Sequence, residues 1–257
     1  SAGVAAFESS WIEGILILFM FLSGTNFALH YRALRGKGRV YFNDAEFRFF
    51  ASVCAIALIL VAGSLIHQGT YAPLTALHHA AFYVVSIVTC TGFTTVDYNE
   101  WPVFAKTVLV FLFLAGGCAG STSGGIKQMR ILILLKKMTR EIRTFLRPTA
   151  IYPVKLGHQI IPHEIILPVC IFFFVYLTSL GIGTLLVSLS GVDQATAFSS
   201  VLTCLANVGP GFSTVGPASN FGHLSDASKA ILSGVMLLGR LEFYTMLVIF
   251  MPTFWRK

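Results

Sequence analysis

Residues 80–95 read "AAFYVVSIVTCTGFTT", an apolar run that stops in a cluster of hydroxyls and one glycine. The run from Ala76 to Val88 has 13 residues, about 20 Å as a helix. A span needs roughly 20 apolar residues. The stretch therefore reads as a half-helix that enters a membrane and ends inside it in Thr89, Cys90, Thr91 and Gly92.

The surrounding composition supports a membrane setting. The 257-residue chain is 55% hydrophobic and only 11% charged, against about 25% charge in an ordinary soluble domain. Long, nearly uncharged segments lie at Ile12–Tyr31, Phe49–Ile66, Val103–Leu114, Ile165–Leu189 and Ala230–Phe250. The net charge of +7 does not indicate nucleic acid, because 15 of the 18 lysines and arginines fall in three clusters. These are residues 32–48, residues 127–155 and the final pair Arg256 and Lys257. Clusters between spans mark the cytoplasmic side. The chain starts at Ser1 without a methionine and has no signal-peptide pattern, so it is expected to be a fragment.

Parity then constrains the topology. If all three clusters face the cytoplasm, an even number of crossings separates each pair. Between the first two lie Phe49–Ile66, the short run and the segment from Val103. The short run must be re-entrant for the count to close. Downstream the pattern repeats: Ile165–Leu189, the short run Ala195–Leu205 with "ANVGPGFSTVGP", then Ala230–Phe250. Ala81 and Phe82 match Ala197 and Phe198, and "GFTTV" at 92–96 matches "GFSTV" at 211–215. The expected fold is all-α and integral to the membrane, with helix, re-entrant pore helix and helix as the repeated unit. Three regions follow. Residues 1–48 hold the last helix of a preceding repeat and a cytoplasmic loop, 49–160 one pore repeat, and 161–257 the next. Ser10 and Glu13 have the spacing of a capping box at the first helix.

The chemistry follows from the half-helices. Each points its partly negative C-terminal end inwards, and the loop behind it offers backbone carbonyls. Carbonyl rings can replace the hydration shell of potassium. The expected filter residues are Thr89, Cys90, Thr91 and Gly92 in one unit and Asn207, Val208 and Gly209 in the other. The Gly211–Phe212 match leaves a two-residue ambiguity in that alignment. No acid lies in either loop; Asp97, Glu100, Asp193 and Asp226 flank them.

Val103 to Lys137 would make a helix of about 52 Å, well beyond one bilayer. Its middle, Gly116 to Gly125, is rich in glycine and hydroxyls and should break it. A phosphate-binding loop would place Lys directly after the last glycine, but Ile126 stands there. The segment Gly117, Cys118, Ala119, Gly120, Ser121, Thr122, Ser123, Gly124 and Gly125 reads as a flexible gate or as a close-packing site between helices. Arg240, in the last apolar segment, needs a partner there. The options are Glu242, Glu164 or carbonyls of the 118–125 loop. The five cysteines read as small buried residues, and His78 and His79 have no carboxylate set that suggests a metal.

Three function classes remain: a potassium-selective pore, a sodium- or proton-coupled secondary transporter with broken helices, and a membrane enzyme. The absence of an in-membrane cluster of His, Asp or Glu disfavours the enzyme.

Four stretches carry a family resemblance: "AAFYVVSIVTCTGFTTVDY", "GGCAGSTSGGIKQMRILILLKK", "LANVGPGFSTVGP" and "LLGRLEFYTMLVIFMPTFWR". With these the chain resembles the bacterial Trk potassium uptake proteins of the TrkH type, in the Trk/Ktr/HKT superfamily, over essentially its whole length. The resemblance implies four pore repeats around one pathway, of which this chain holds the third and fourth. It implies potassium as the transported ion at the filter residues, no covalent cofactor, and loop 117–125 as an intramembrane gate beside Arg240. It also implies a homodimer in the bacterial inner membrane with a cytoplasmic C-terminus. A cytoplasmic nucleotide-binding ring of the TrkA type would be a partner, with the basic segment 127–158 as its contact.

Overall fold

Among the described residues, two helices are long and apolar enough to cross a bilayer, and each opens one of the two units. The coordinates are a computed structural model, which describes residues 3–7, 9–147, 150, 152–157, 159–241, 243–249 and 251–255. Glu242, Arg256 and Lys257, which figured in the sequence reading, lie outside the described residues.

The chain runs α1 (Ser10–Ser23), α2 (Phe27–Leu34), α3 (Val40–Asn43), α4 (Ala45–His67), α5 (Pro73–Val88), α6 (Val103–Ala115) and α7 (Gln128–Leu146). A minimal hairpin follows, β1 (Lys155–Leu156) and β2 (Gln159–Ile160), antiparallel with Lys155 opposite Ile160. Then come α8 (His163–Ser188), α9 (Gln194–Ala206), α10 (Asp226–Arg240), α11 (Phe243–Ile249) and α12 (Pro252–Trp255). Apart from that hairpin the described chain is helical, as expected of an integral membrane protein built from pore repeats.

The long spans are α4 and α8. Asp44 starts α4 by accepting from the Phe47 amide at 2.8 Å, which satisfies one of the free amides at the helix start. Helix α4 thus begins inside the first of the three regions read from the sequence. Both spans expose apolar side chains, among them Ile59 at 69% and Phe174 at 72%. Such faces suit lipid.

The short helices α5 and α9 are buried instead. Every residue from Phe82 to Val88 is buried, and so is the run Ser199 to Ala206. A helix that is apolar all round sits in an interior, which explains why neither run shows amphipathic periodicity. Helix α5 starts at Pro73, whose fixed φ and missing amide suit the first helical position. Helix α9 starts on Asp193, which accepts from the Thr196 amide at 3.0 Å.

Three expected spans are broken. Ile12–Tyr31 is two helices, α1 and α2, meeting at 100°. Gly24 and Thr25 end the first, and Asn26 caps the second by accepting from the Ala28 amide at 2.9 Å. The long segment after Pro102 breaks as expected, between α6 and α7. The last span breaks after Arg240, so Arg240 ends α10 rather than sitting mid-helix. The capping box at Ser10 and Glu13 does not form: Ser9 is the cap residue, and it makes no side-chain cap bond. The Glu13 carboxylate meets His78 Nε2 at 2.5 Å instead, joining α1 to α5. His78 therefore does have a carboxylate partner.

One apolar core runs through α1, α4 to α6 and α8 to α10, including Phe50, Leu65, Phe82, Phe113, Val201 and Leu232. The cysteines are free: Cys54, Cys118 and Cys204 are buried, and Cys90 and Cys170 are partly exposed.

Candidate functional site

The two half-helices end in the same backbone path. After α5, Thr89 keeps helical angles, Cys90 takes φ 56°, and Gly92 takes φ 72°. After α9, Asn207 takes φ 57° and Gly209 φ 118°. The Thr91 amide donates to the Ser86 carbonyl at 2.9 Å, and the Val208 amide to the Thr203 carbonyl at 3.0 Å. Ser86 Oγ donates to the Phe93 carbonyl at 2.8 Å, and Thr203 Oγ1 to the Pro210 carbonyl at 3.0 Å. These parallels pair Cys90 with Asn207, Thr91 with Val208 and Gly92 with Gly209, which settles the register. They also shift the helix match by one residue: Ala80, not Ala81, stands opposite Ala197. The "GFSTV" match is displaced because the loop after α9 has two more residues before Gly211.

The two loops touch. A Cβ at Gly92 would collide with the Val208 carbonyl oxygen, so only glycine fits this close approach at a positive φ. Thr89 is buried, its hydroxyl bonded to the Val85 carbonyl at 2.8 Å and the Thr91 hydroxyl at 2.7 Å. Asn207 Nδ2 donates to the Met236 carbonyl at 3.3 Å, tying the second loop to α10. Outside the loops, Tyr98 donates to the Gly211 carbonyl at 2.6 Å, and Asn99 exchanges bonds with Ser213 at 3.0 and 3.2 Å. Tyr83, Tyr98, Trp101 and Phe212 pack edge to face behind them, with neighbouring ring centres 5.1–6.4 Å apart. The Tyr83 hydroxyl accepts from the Thr95 and Val96 amides at 2.9 Å each and donates to the Val96 carbonyl. An aromatic and hydrogen-bonded collar thus fixes both loops.

The glycine-rich break lies against these loops and is held rather than free. The expected flexible loop is pinned along its length. The Cys118 amide donates to the Gly24 carbonyl at 2.9 Å, and the Phe27 amide to the Gly120 carbonyl at 3.1 Å. The Thr122 amide donates to the Ser23 carbonyl at 3.3 Å. The kink between α1 and α2 therefore exists to meet this loop. Ser121 Oγ donates to the Cys118 carbonyl at 2.7 Å and lies 2.5 Å from Ser123 Oγ. The Gln128 amide donates to the Gly117 carbonyl and its Nε2 to the Gly116 carbonyl, both at 2.8 Å. Ala119 is half-buried in the same loop. A Cβ at Gly124 would stand 2.7 Å from the Ala206 carbonyl oxygen, so this part of the loop presses on the end of α9. Gly125 turns the chain back at φ 70°.

Arg240 closes the group. Its Nη1 donates to the Thr122 carbonyl at 3.2 Å. A loop carbonyl, one of the partners considered from sequence, is thus a partner of Arg240 among the described residues. Ser121 to Gly125, Gly239 and Arg240 surround a cavity of about 150 Å³.

Sequence reading missed Glu46. It is 2% exposed, and its Oε1 accepts from the Ala119 amide at 2.6 Å and the Met129 amide at 3.0 Å. One carboxylate on α4 thus clamps both ends of the broken helix. In sequence it looks like an ordinary first-turn acid, and nothing local marks the two distant amides it binds.

The fold has close counterparts. The family model described as "TrkH: Cation transport protein" matches residues 1–257. The Trk system potassium uptake protein TrkH of Salmonella typhimurium is 41% identical over 258 residues, all of this chain and 53% of that protein. TrkI of Halomonas elongata is 37% identical over 93% of this chain and 49% of its own length. The crystal structure of the potassium transporter TrkH from Vibrio parahaemolyticus superposes with a TM-score of 0.92 at 37% identity, covering 99% of this chain and 55% of that one. The chain spans about half the length of the curated relatives it matches. On this evidence the chain belongs to the TrkH family of cation transport proteins.

Proposed function

We propose that the chain forms two of the four walls of a potassium pathway, with uptake across the bacterial inner membrane as its activity. The observation that carries this reading is the pair of half-helices with one shared loop geometry, brought edge to edge where Gly92 meets the Val208 carbonyl. Both helix ends are partly negative. Cys90, Thr91, Gly92, Asn207, Val208 and Gly209 offer carbonyls to a cation whose water has been removed. The relatives described above are named as potassium uptake proteins, and the chain is read as a transporter.

The loop 117–125 is read as the gate, because it lies against the ends of both filters. Glu46, the α1–α2 kink and Arg240 hold it in place. The three basic clusters face the cytoplasm, as does the C-terminus. Residues 1–48 close a preceding repeat, 49–160 form the third and 161–257 the fourth; two earlier repeats complete the pore. A homodimer, and a cytoplasmic nucleotide-binding ring of the TrkA type against the basic segment 127–158, complete the assembly.

Rubidium uptake by the full-length protein in cells that lack other potassium uptake tests the reading. Gly92→Asp abolishes uptake if the filter assignment holds. Uptake at the parental rate in that variant overturns it. Shortening 118–124 raises the leak and leaves ion preference intact if the loop is a gate; lost ion preference with no added leak contradicts it.

A further inference from the structure

The far end of α7 carries a feature that the ion path does not use. Leu135, Met138, Ile142, Phe145 and Leu146 are all exposed, Phe145 at 87%. Their spacing of three and four residues puts them on one helix face. Lys136, Arg140 and Arg143 recur at the same spacing beside them, with Thr139 between the two stripes. The three cations form one wall of a cavity of about 420 Å³, whose other wall includes Pro153, Val154 and Lys155.

The cavity is built rather than incidental. Lys136 Nζ donates to the Lys155 carbonyl at 2.6 Å and fastens the hairpin segment to the helix. Below it, Val154 packs with Ile133, Ile166 and Val169 in a small separate core. Arg140 Nε is buried with no hydrogen-bond acceptor among the described residues. Among the described residues no acid lines the cavity; the nearby Glu141 lies 2.5 Å from Lys137. A buried guanidinium donor without an acceptor, among four cations, calls for an oxygen-rich anion.

The apolar stripe decides what carries that anion. A water-soluble ligand would match the charges and leave a continuous greasy face in water. A helix with an apolar face beside a basic one lies in the membrane interface, and basic pockets at the cytoplasmic ends of spans take lipid headgroups.

We infer that the cavity between α7 and residues 152–155 binds the phosphodiester headgroup of an anionic phospholipid of the cytoplasmic leaflet. The acyl chains lie along Leu135, Met138 and Ile142. Arg140, Arg143 and Lys155 face the phosphate oxygens. The inference rests on the proposed orientation, with the basic segment inside. It gives the lipid a route to the gate. Helix α7 begins at Gln128, which bonds Gly116 and Gly117, so a lipid that holds α7 also steadies the loop.

The test is native mass spectrometry of the full-length protein in neutral detergent. It is titrated with phosphatidylglycerol, with phosphatidylcholine, and with inorganic phosphate as competitor. Phosphatidylglycerol is retained in preference to phosphatidylcholine. Arg140→Gln weakens retention about fivefold, and the triple change Lys136→Gln, Arg140→Gln, Arg143→Gln on the order of a hundredfold. Arg32→Gln with Arg35→Gln, in another basic cluster, changes nothing. Equal retention by parent and triple variant overturns the site. Displacement of the lipid by millimolar inorganic phosphate overturns the lipid assignment. So does a triple variant that keeps lipid but loses a cytoplasmic protein partner. Rubidium uptake is read separately: lipid lost with uptake retained supports the site, whereas an orientation error shows as labelling of Arg143→Cys only from outside.

Discussion

The two units of the chain use one backbone path and support it differently. In the first, the loop after α5 is hemmed in. Gly92 stands against the Val208 carbonyl, and the broken helix behind it is a long loop clamped by Glu46 and by the α1–α2 kink. In the second, Gly209 meets no atom of the described residues within 4 Å, and the break after α10 is short. The lesson is that a shared backbone shape does not mean a shared tolerance. Gly92 is required by space and by φ, Gly209 within this chain by φ alone.

The largest expected effect breaks that contrast most directly. Gly92→Ala places a methyl group on the Val208 carbonyl and costs at least 10-fold in rubidium uptake. Gly209→Ala carries only the strain of φ 118°, outside the left-handed helical region and roughly 1–3 kcal/mol, and loses less uptake. Equal losses in the two variants would erase the distinction between the units.

Next comes the clamp. Glu46→Ala leaves two buried amides without an acceptor, each costing roughly 1–3 kcal/mol. The expected outcome is a lower melting temperature and a higher leak through the full-length protein, with Glu46→Gln intermediate because an amide oxygen still accepts. A stable, tight Glu46→Ala variant would show that the kink alone holds the loop.

A smaller effect is expected at Arg240, where a charged bond to the Thr122 carbonyl joins the two breaks. Arg240→Ala removes about 1.5 kcal/mol of support, so open time rises and ion preference stays, as single-channel recording would show. Altered ion preference would instead place Arg240 in the filter's support.

The smallest effect concerns the starts of the half-helices. Asp193 caps α9, and its carboxyl is held below the usual carboxylate range because the Thr196 hydroxyl and amide stabilise the ionised form. A depressed folded pKa adds stability above the unfolded value of about 3.9 and loses it as pH falls through the folded one. Helix α5 starts on Pro73 without a side-chain cap, so acid should loosen the first turn of α9 and not that of α5. Asp193→Ala, at about 1 kcal/mol, should abolish the difference. Hydrogen exchange of the two helices between neutral and acidic pH reads it.

Much of this was legible in the chain because the signals are local. A run too short to span, an apolar stretch with no amphipathic period, and a glycine cluster inside a long helix each declare themselves within 20 residues or so. The positions of Thr89 to Gly92, Asn207 to Gly209 and the break at Gly116 followed. What escaped notice depends on distant partners. Asn26 looks like a residue within a span until its cap on α2 is seen. Glu46 and Glu13 look like helix-start acids, yet one holds the loop and the other His78. The register between the two units also stayed open, because "GFTTV" and "GFSTV" align by letters but not by φ.

The central claim is that a dehydrated cation sits between the two loops. Anomalous diffraction from crystals of the full-length protein soaked in rubidium tests it directly. The account predicts rubidium peaks within coordination distance of the carbonyls of Thr91 and Val208 and of their neighbours Cys90 and Asn207. Peaks confined to other parts of the protein, with none beside these carbonyls, would contradict it.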